Sequence, residues 1–235
     1  MKKYYAKQGE IPRQGEIWLP VGDKGHLMML HIIDIQKVRP YVPKELDIVS
    51  IGFGKTFGLV FMTRMGPEST LPYHELIIAP ALIKARGKIG FYVTHIYVDN
   101  EKSQIGGIRN FGLPKQMAEF EWNWQSNCSG NIKISESEHE LISIKYGRRL
   151  GDVSMWLGGG AMSILDEKLV YCNNHFKANF GLSSVRYEIS ENSPIYNDMK
   201  NIGLNRPLLS VLGENMKGYM GENTQIIAFF PDMAK

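Results

Sequence analysis

Apolar residues fall along this chain in short runs of four to eight, rich in β-branched and aromatic side chains and broken by Gly, Pro, Asn and Ser. That rhythm predicts strands over Leu27–Ile33, Phe57–Arg64, Tyr73–Ala79, Gly90–Val98 and Gln225–Phe230. Alternation is strictest over Glu119–Gln125, where Phe120, Trp122 and Trp124 share one face and Glu119, Glu121 and Asn123 the other. Such a strand is half buried, as in an antiparallel sheet with one solvated face. After turn residues at Ser126–Asn131, the segments Asn131–Ser135 and Leu141–Tyr146 are expected to pair as a hairpin around the polar loop Glu136–Glu140.

Helical signals are few. Asp34 can cap a short helix that must end near Pro40 and Pro43, and Ser193-Pro194 opens a second over Tyr196–Asn201, stopped by Gly203. No strand-then-long-helix unit recurs, which argues against a doubly wound parallel sheet. No repeat or linker divides the chain, so the expectation is a mainly β (α+β) fold, one domain over residues 1–235 with largely antiparallel sheet and a few short helices.

Composition narrows the function classes. Lys and Arg number 27 against 24 Asp and Glu, scattered without basic runs, which speaks against a nucleic-acid binder. No window approaches 18 consecutive apolar residues, and the basic start has no apolar stretch behind it, so neither a membrane span nor a signal peptide is expected. The two cysteines, Cys128 and Cys172, form no CxxC pair and are expected as free thiols in a reducing cytoplasm.

Several motifs fall short of the chemistry they suggest. Gly54-Lys55-Thr56 ends like a phosphate-binding loop, but Val49 stands where the first glycine belongs, and a glycine-rich turn explains the segment more simply. His74-Glu75 begins like a zinc-protease helix, yet Ile78 replaces the second histidine. The six histidines are dispersed, so no metal site is expected. Cys172 with His175 as its base is a conceivable nucleophile, though buried cysteines are more often inert. Gly158-Gly159-Gly160 reads as a turn or a close backbone approach.

The segment Gly106-Gly107-Ile108-Arg109-Asn110-Phe111-Gly112-Leu113-Pro114-Lys115 sets a lysine among apolar neighbours, behind a proline that fixes the backbone. On composition alone it is a rigid loop ending in a lysine that either caps an element or projects into a cavity. Together with Tyr73-His74-Glu75, the strand Gly90–Asn100 and the Val-Pro-x-x-Leu turn within Asp34–Ile48, it resembles the acetoacetate decarboxylase family, most strongly over residues 34–122.

That resemblance implies a barrel- or cone-like core, a homo-oligomer and a small keto acid as partner. It also implies that Lys115 condenses with the ketone of a β-keto acid and that the protonated imine takes up the electrons released with carbon dioxide, acetoacetate giving acetone. No metal or organic cofactor is implied. An unperturbed lysine is about 99.9% protonated at pH 7, so such a site must be apolar or positively charged. Phe111, Leu113, Met117 and Phe120 are the expected walls. Glu75 matches the family's pocket carboxylate and is the expected acid/base.

The chain departs from its relatives at Gln116, where the best-studied decarboxylases carry a second lysine. Arg109 is then the candidate for a compensating cation, and Arg64, on a strand without Asp or Glu, for binding a substrate carboxylate. These departures keep two alternatives open: a Schiff-base aldolase or dehydratase acting on a keto acid, and a non-catalytic binder of a small apolar acid with Lys115 as counter-ion.

Overall fold

The computed structural model describes residues 3–125 and 129–230, so Cys128 and part of the Ser126–Asn131 turn lie outside the described residues. In chain order the elements are β1 (Val21–Asp34), α1 (Ile35–Val38), β2 (Asp47–Ile48), β3 (Lys55–Met65), β4 (Tyr73–Ala79), β5 (Ala81–Ala85), β6 (Lys88–Tyr92), β7 (His95–Val98), α2 (Glu101–Phe111), β8 (Lys115–Met117) and β9 (Glu119–Trp124). There follow β10 (Gly130–Glu136), β11 (His139–Tyr146), β12 (Leu150–Leu165), β13 (Lys168–Leu182), β14 (Val185–Ile189), α3 (Tyr196–Ile202) and β15 (Leu209–Phe229). Among the described residues, no helix is long and apolar enough to cross a membrane.

Eleven strands form one sheet in the order β2-β5-β6-β12-β13-β15-β1-β3-β4-β7-β8, and four form another, β14-β11-β10-β9. Neighbours are antiparallel except at β12–β6 and β7–β8. In the large sheet β4 and β5 lie far apart in order yet are joined through Pro80 alone, and β6 and β7 through Val93-Thr94. The chain can make these steps because the sheet curls until its two ends meet. The Val93 amide donates to Met162 on one side of the seam (2.8 Å) and the Thr94 amide to Ile78 on the other (3.0 Å). The result is cone-like, without a hydrogen-bonded ladder that closes it into a barrel.

Alternation divides the large sheet's residues between two cores. On its outer face Leu27, Met29, Val60, Met62, Leu76 and Ile78 pack against the small sheet, whose Ile132, Ile134, Ile142 and Ile144 are fully buried. Phe120, Trp122 and Trp124 of β9 join that core, as their shared face predicts. On the inner face a second core surrounds a cavity.

Some local expectations change. The hairpin turn contracts to Ser137 and Glu138, both at positive φ (47° and 67°), the conformation that two-residue hairpin turns require. The run Gly90–Val98 is not one strand but two, split where the chain crosses the seam. Gly158–Gly160 lies inside β12 and not in a turn, while the expected close backbone approach is present at Gly160, where a Cβ would lie 2.7 Å from the Ile89 carbonyl. The largest difference is α2: the segment read as a loop from Gly106 onward is mostly helix. Asn100 caps its start by accepting from the amides of Lys102 (2.9 Å) and Ser103 (3.2 Å), and Gly112 ends it in the left-handed region at φ 62°.

Candidate active site

Lys115 opens β8 directly after α2, and Pro114 holds the short connection. Its backbone pairs with Ile96 of β7, which turns the side chain onto the sheet's inner face. There Nζ lies 2.7 Å from Oε2 of Glu75, which β4 projects inward from the other side. Both residues are almost completely enclosed, Lys115 at 3% exposure and Glu75 at 4%. Two unlike charges so buried hold each other in place, since removing either partner strands the other without solvent.

The rest of the lysine's shell comes from elements distant in sequence. Nζ donates to Oγ of Ser103 on α2 (3.0 Å) and sits over the rings of Tyr73 (4.8 Å) and Trp18 (5.6 Å). Aromatic faces stabilise an ammonium without offering it a proton acceptor. Ser103 and Gly107, four residues apart, share the helix face that meets the lysine. A Cβ at Gly107 would lie 2.6 Å from the lysine's Cδ and Cε, so glycine is what lets the side chain pass along the helix.

The ion pair stands in a cavity of ≈ 240 Å³. Phe111 and Leu113 line it, whereas Met117 is exposed and Phe120 stacks on His74 at the outer face. The remaining walls come from Phe61, Ile77, Phe91, Leu157 and Phe176, among others. Burial pushes the Cys172 thiol in this wall up to about 11. His175, three residues along the same strand, faces the other way and bonds Asn173 instead, so the pairing of Cys172 with His175 does not form. Burial foremost, and then the charge of Glu75, also push the Tyr73 phenol well above its ordinary value.

Three residues expected in the pocket lie outside it. Arg64 is one step out of phase with the inward residues Thr63 and Met65, so it points to the outer face, near Asp23 (3.6 Å). Gln116 is exposed, because Lys115 before it takes the inward position. Arg109 is carried on the solvent side of α2, where it donates to the carbonyl of Pro12 (3.4 Å). Thus Lys115 is the one cation among the described residues that line the cavity. Among the described residues, no group of three His, Cys, Asp or Glu side chains is arranged to hold a metal ion.

Ser103, Trp18 and Phe176 were not singled out from the sequence, Tyr73 was named only within the Tyr73-His74-Glu75 motif, and Cys172 only as a conceivable nucleophile. Asn100 before Glu101, with Gly112 and Pro114 at the far end, is a helix start and stop signal that would have found α2 and with it Ser103. No local signal marks the others, which converge through sheet topology.

The model of the family described as Acetoacetate decarboxylase (ADC) matches residues 8–152. Among solved structures, acetoacetate decarboxylase from Legionella pneumophila superposes with a TM-score of 0.67, covering 93% of this chain and 92% of that one at 12% identity. The enduracididine biosynthesis enzyme MppR, complexed with pyruvate, superposes at 0.62, covering 94% and 93% at 11% identity. Among curated proteins, NEOXANTHIN-DEFICIENT 1 of Solanum lycopersicum is 25% identical over 125 residues, 53% of this chain and 39% of that protein. Its counterpart in Arabidopsis thaliana is 24% identical over 97 residues, 41% of this chain and 34% of that protein. The chain thus spans well under half the length of these curated relatives.

Proposed function

This chain belongs to the acetoacetate decarboxylase family, and from that premise we propose that it decarboxylates a β-keto acid through a Schiff base on Lys115. The observation that carries the reading is the buried 2.7 Å contact between Nζ of Lys115 and Oε2 of Glu75 in a largely apolar cavity. A proton passing along that contact leaves an amine beside a carboxylic acid. In that form the pair supplies both a nucleophile and a general acid.

The steps follow from these two groups. The amine attacks the ketone carbon, Glu75 gives its proton to the carbonyl oxygen, and loss of that oxygen as water leaves a protonated imine. The bond to the carboxylate then breaks, carbon dioxide departs, and its electron pair enters the imine to form an enamine. Protonation at carbon restores the imine, and water releases the ketone and the free amine. Ser103 and the rings of Tyr73 and Trp18 keep Nζ aimed at one point throughout.

With Lys115 the one cation among the described residues of the lining, decarboxylation is favoured over aldol or dehydration chemistry on an α-keto acid. Aldol chemistry must retain its substrate's carboxylate, for which a guanidinium is the natural partner. A carboxylate set against apolar walls is instead destabilised in the ground state and relieved when it leaves as neutral carbon dioxide. The test is carbon dioxide release from acetoacetate and its longer homologues. Release by the protein, reduced to the uncatalysed rate by Lys115→Ala, is the expected result; equal release by both proteins contradicts the reading.

A further inference from the structure

Cross-strand register shows how the cavity is laid out away from its reactive end. Along β4 the inward residues are Glu75, Ile77 and Ala79, successive positions about 6.7 Å apart. Ile77 stands beside Phe61, which pairs with Met28; Ala79 stands beside Leu59, which pairs with Leu30. Two apolar rows therefore follow the charged pair, reaching about 13 Å beyond Glu75. Glu75 and Ala79 are buried, the β1 and β3 residues of both rows (Met28, Phe61, Leu30 and Leu59) are half buried, and Ile32 in the next row of β1 is 46% exposed, so the rim opens on that side.

Among the described residues, no polar side chain along this path is left to ask for a polar ligand. Asn174, the amide in the lining, accepts from the Gly221 amide (3.2 Å) and donates to Cys172 Sγ (3.8 Å), so its side chain is already engaged. The volume fits the same picture. An apolar cavity of about 150 Å³ holds benzene with six carbons, so ≈ 240 Å³ corresponds to about ten non-hydrogen atoms on that scale. Acetoacetate has seven, three of which leave as carbon dioxide.

We infer that the substrate is a keto acid whose ketone carries an apolar chain longer than a methyl group, seated along the Ile77 and Ala79 rows with its end toward the Leu30–Leu59 rim. The inference rests on the imine at Lys115 and adds to it the chemical class of the group attached to the carbonyl. Each methylene that leaves water for these walls strengthens binding about fourfold.

Methyl ketones, the stable products of such acids, provide the probe, because they enter the same imine in reverse. The full chain is incubated with acetone, 2-pentanone or 2-heptanone under cyanoborohydride, and the Lys115 peptide is quantified by mass. Half-saturation at a concentration at least about tenfold lower for 2-heptanone than for acetone is the expected result. Leu59→Asn, at the half-buried rim, should narrow that ratio; a ratio unchanged by Leu59→Asn contradicts the seating of the chain along these rows. Acetone labelling at the same or lower concentration than 2-heptanone overturns the inference while leaving the imine standing. No adduct at Lys115 from any of the three removes the imine reading and this inference with it.

Discussion

The two faces of the large sheet are built from the same strands yet differ in chemistry. On the outer face Arg64, His74 and Gln116 lie near solvent or against β9, with Arg64 near Asp23 and His74 held by Asp99 (2.5 Å) and stacked against Phe120. On the inner face their immediate neighbours Thr63, Glu75 and Lys115 are buried, and the last two form the cavity's ion pair. One residue along a strand changes which face a side chain serves. Membership of the site is decided by strand phase, and nearness in sequence to Lys115 counts for little.

The sharpest way to break this comparison is to change one inner residue. Glu75→Gln keeps the shape but removes the proton acceptor and leaves an unpaired ammonium in the cavity. Turnover should fall by about 10²- to 10⁴-fold, with stability lowered by about 3–5 kcal/mol, as is usual when one half of a buried ion pair is deleted. Steady-state rates and denaturant midpoints read the two effects separately.

Acid tests both faces at once. His31 on the outer face stacks on Tyr187 of the small sheet (6.2 Å), and His26 on the inner face bonds Thr63 (2.7 Å). Burial lowers each from an ordinary value of 6.5 to about 4. Because the folded state disfavours their protonation, stability is full above about pH 6.5 and is lost as pH falls toward 4. Each histidine contributes up to about 3 kcal/mol of that loss, since a tenfold change in proton affinity is worth about 1.4 kcal/mol. Urea midpoints measured from pH 7 to pH 4 should fall steadily, and His31→Phe should flatten the slope.

The smallest effects belong to the outer residues. Arg64→Leu and Gln116→Ala should each change turnover by less than about threefold, since surface substitutions away from a site rarely move more than about 0.5 kcal/mol. A loss of a hundredfold from either would mean that the outer face takes part in the chemistry.

Much of this was legible in the sequence where patterns are local. The strand rhythm, the shared face of Phe120, Trp122 and Trp124, and the caps at Asp34 and Gly203 lead directly to the observed elements. Resemblance at Leu113-Pro114-Lys115 and at Tyr73-His74-Glu75 pointed to the two residues that the fold brings into contact. Arg64 was misassigned because its phase relative to Glu75 depends on the register between β3 and β4, which no single strand discloses. Arg109 and α2 were misread because Gly106-Gly107 interrupts the helical pattern, and those glycines serve Trp18 and Lys115 rather than a loop. The far wall comes from β12, β13 and β15, whose long strands leave no periodic mark beyond a general apolar rhythm.

The central claim is that Lys115 forms an imine in the inner cavity, and borohydride trapping with acetoacetate tests it most directly. Peptide mass mapping should find a substrate-dependent adduct on the Lys115 peptide, absent from Lys115→Ala and unaffected by Gln116→Ala. An adduct on another lysine, or one that persists in Lys115→Ala, would contradict the account.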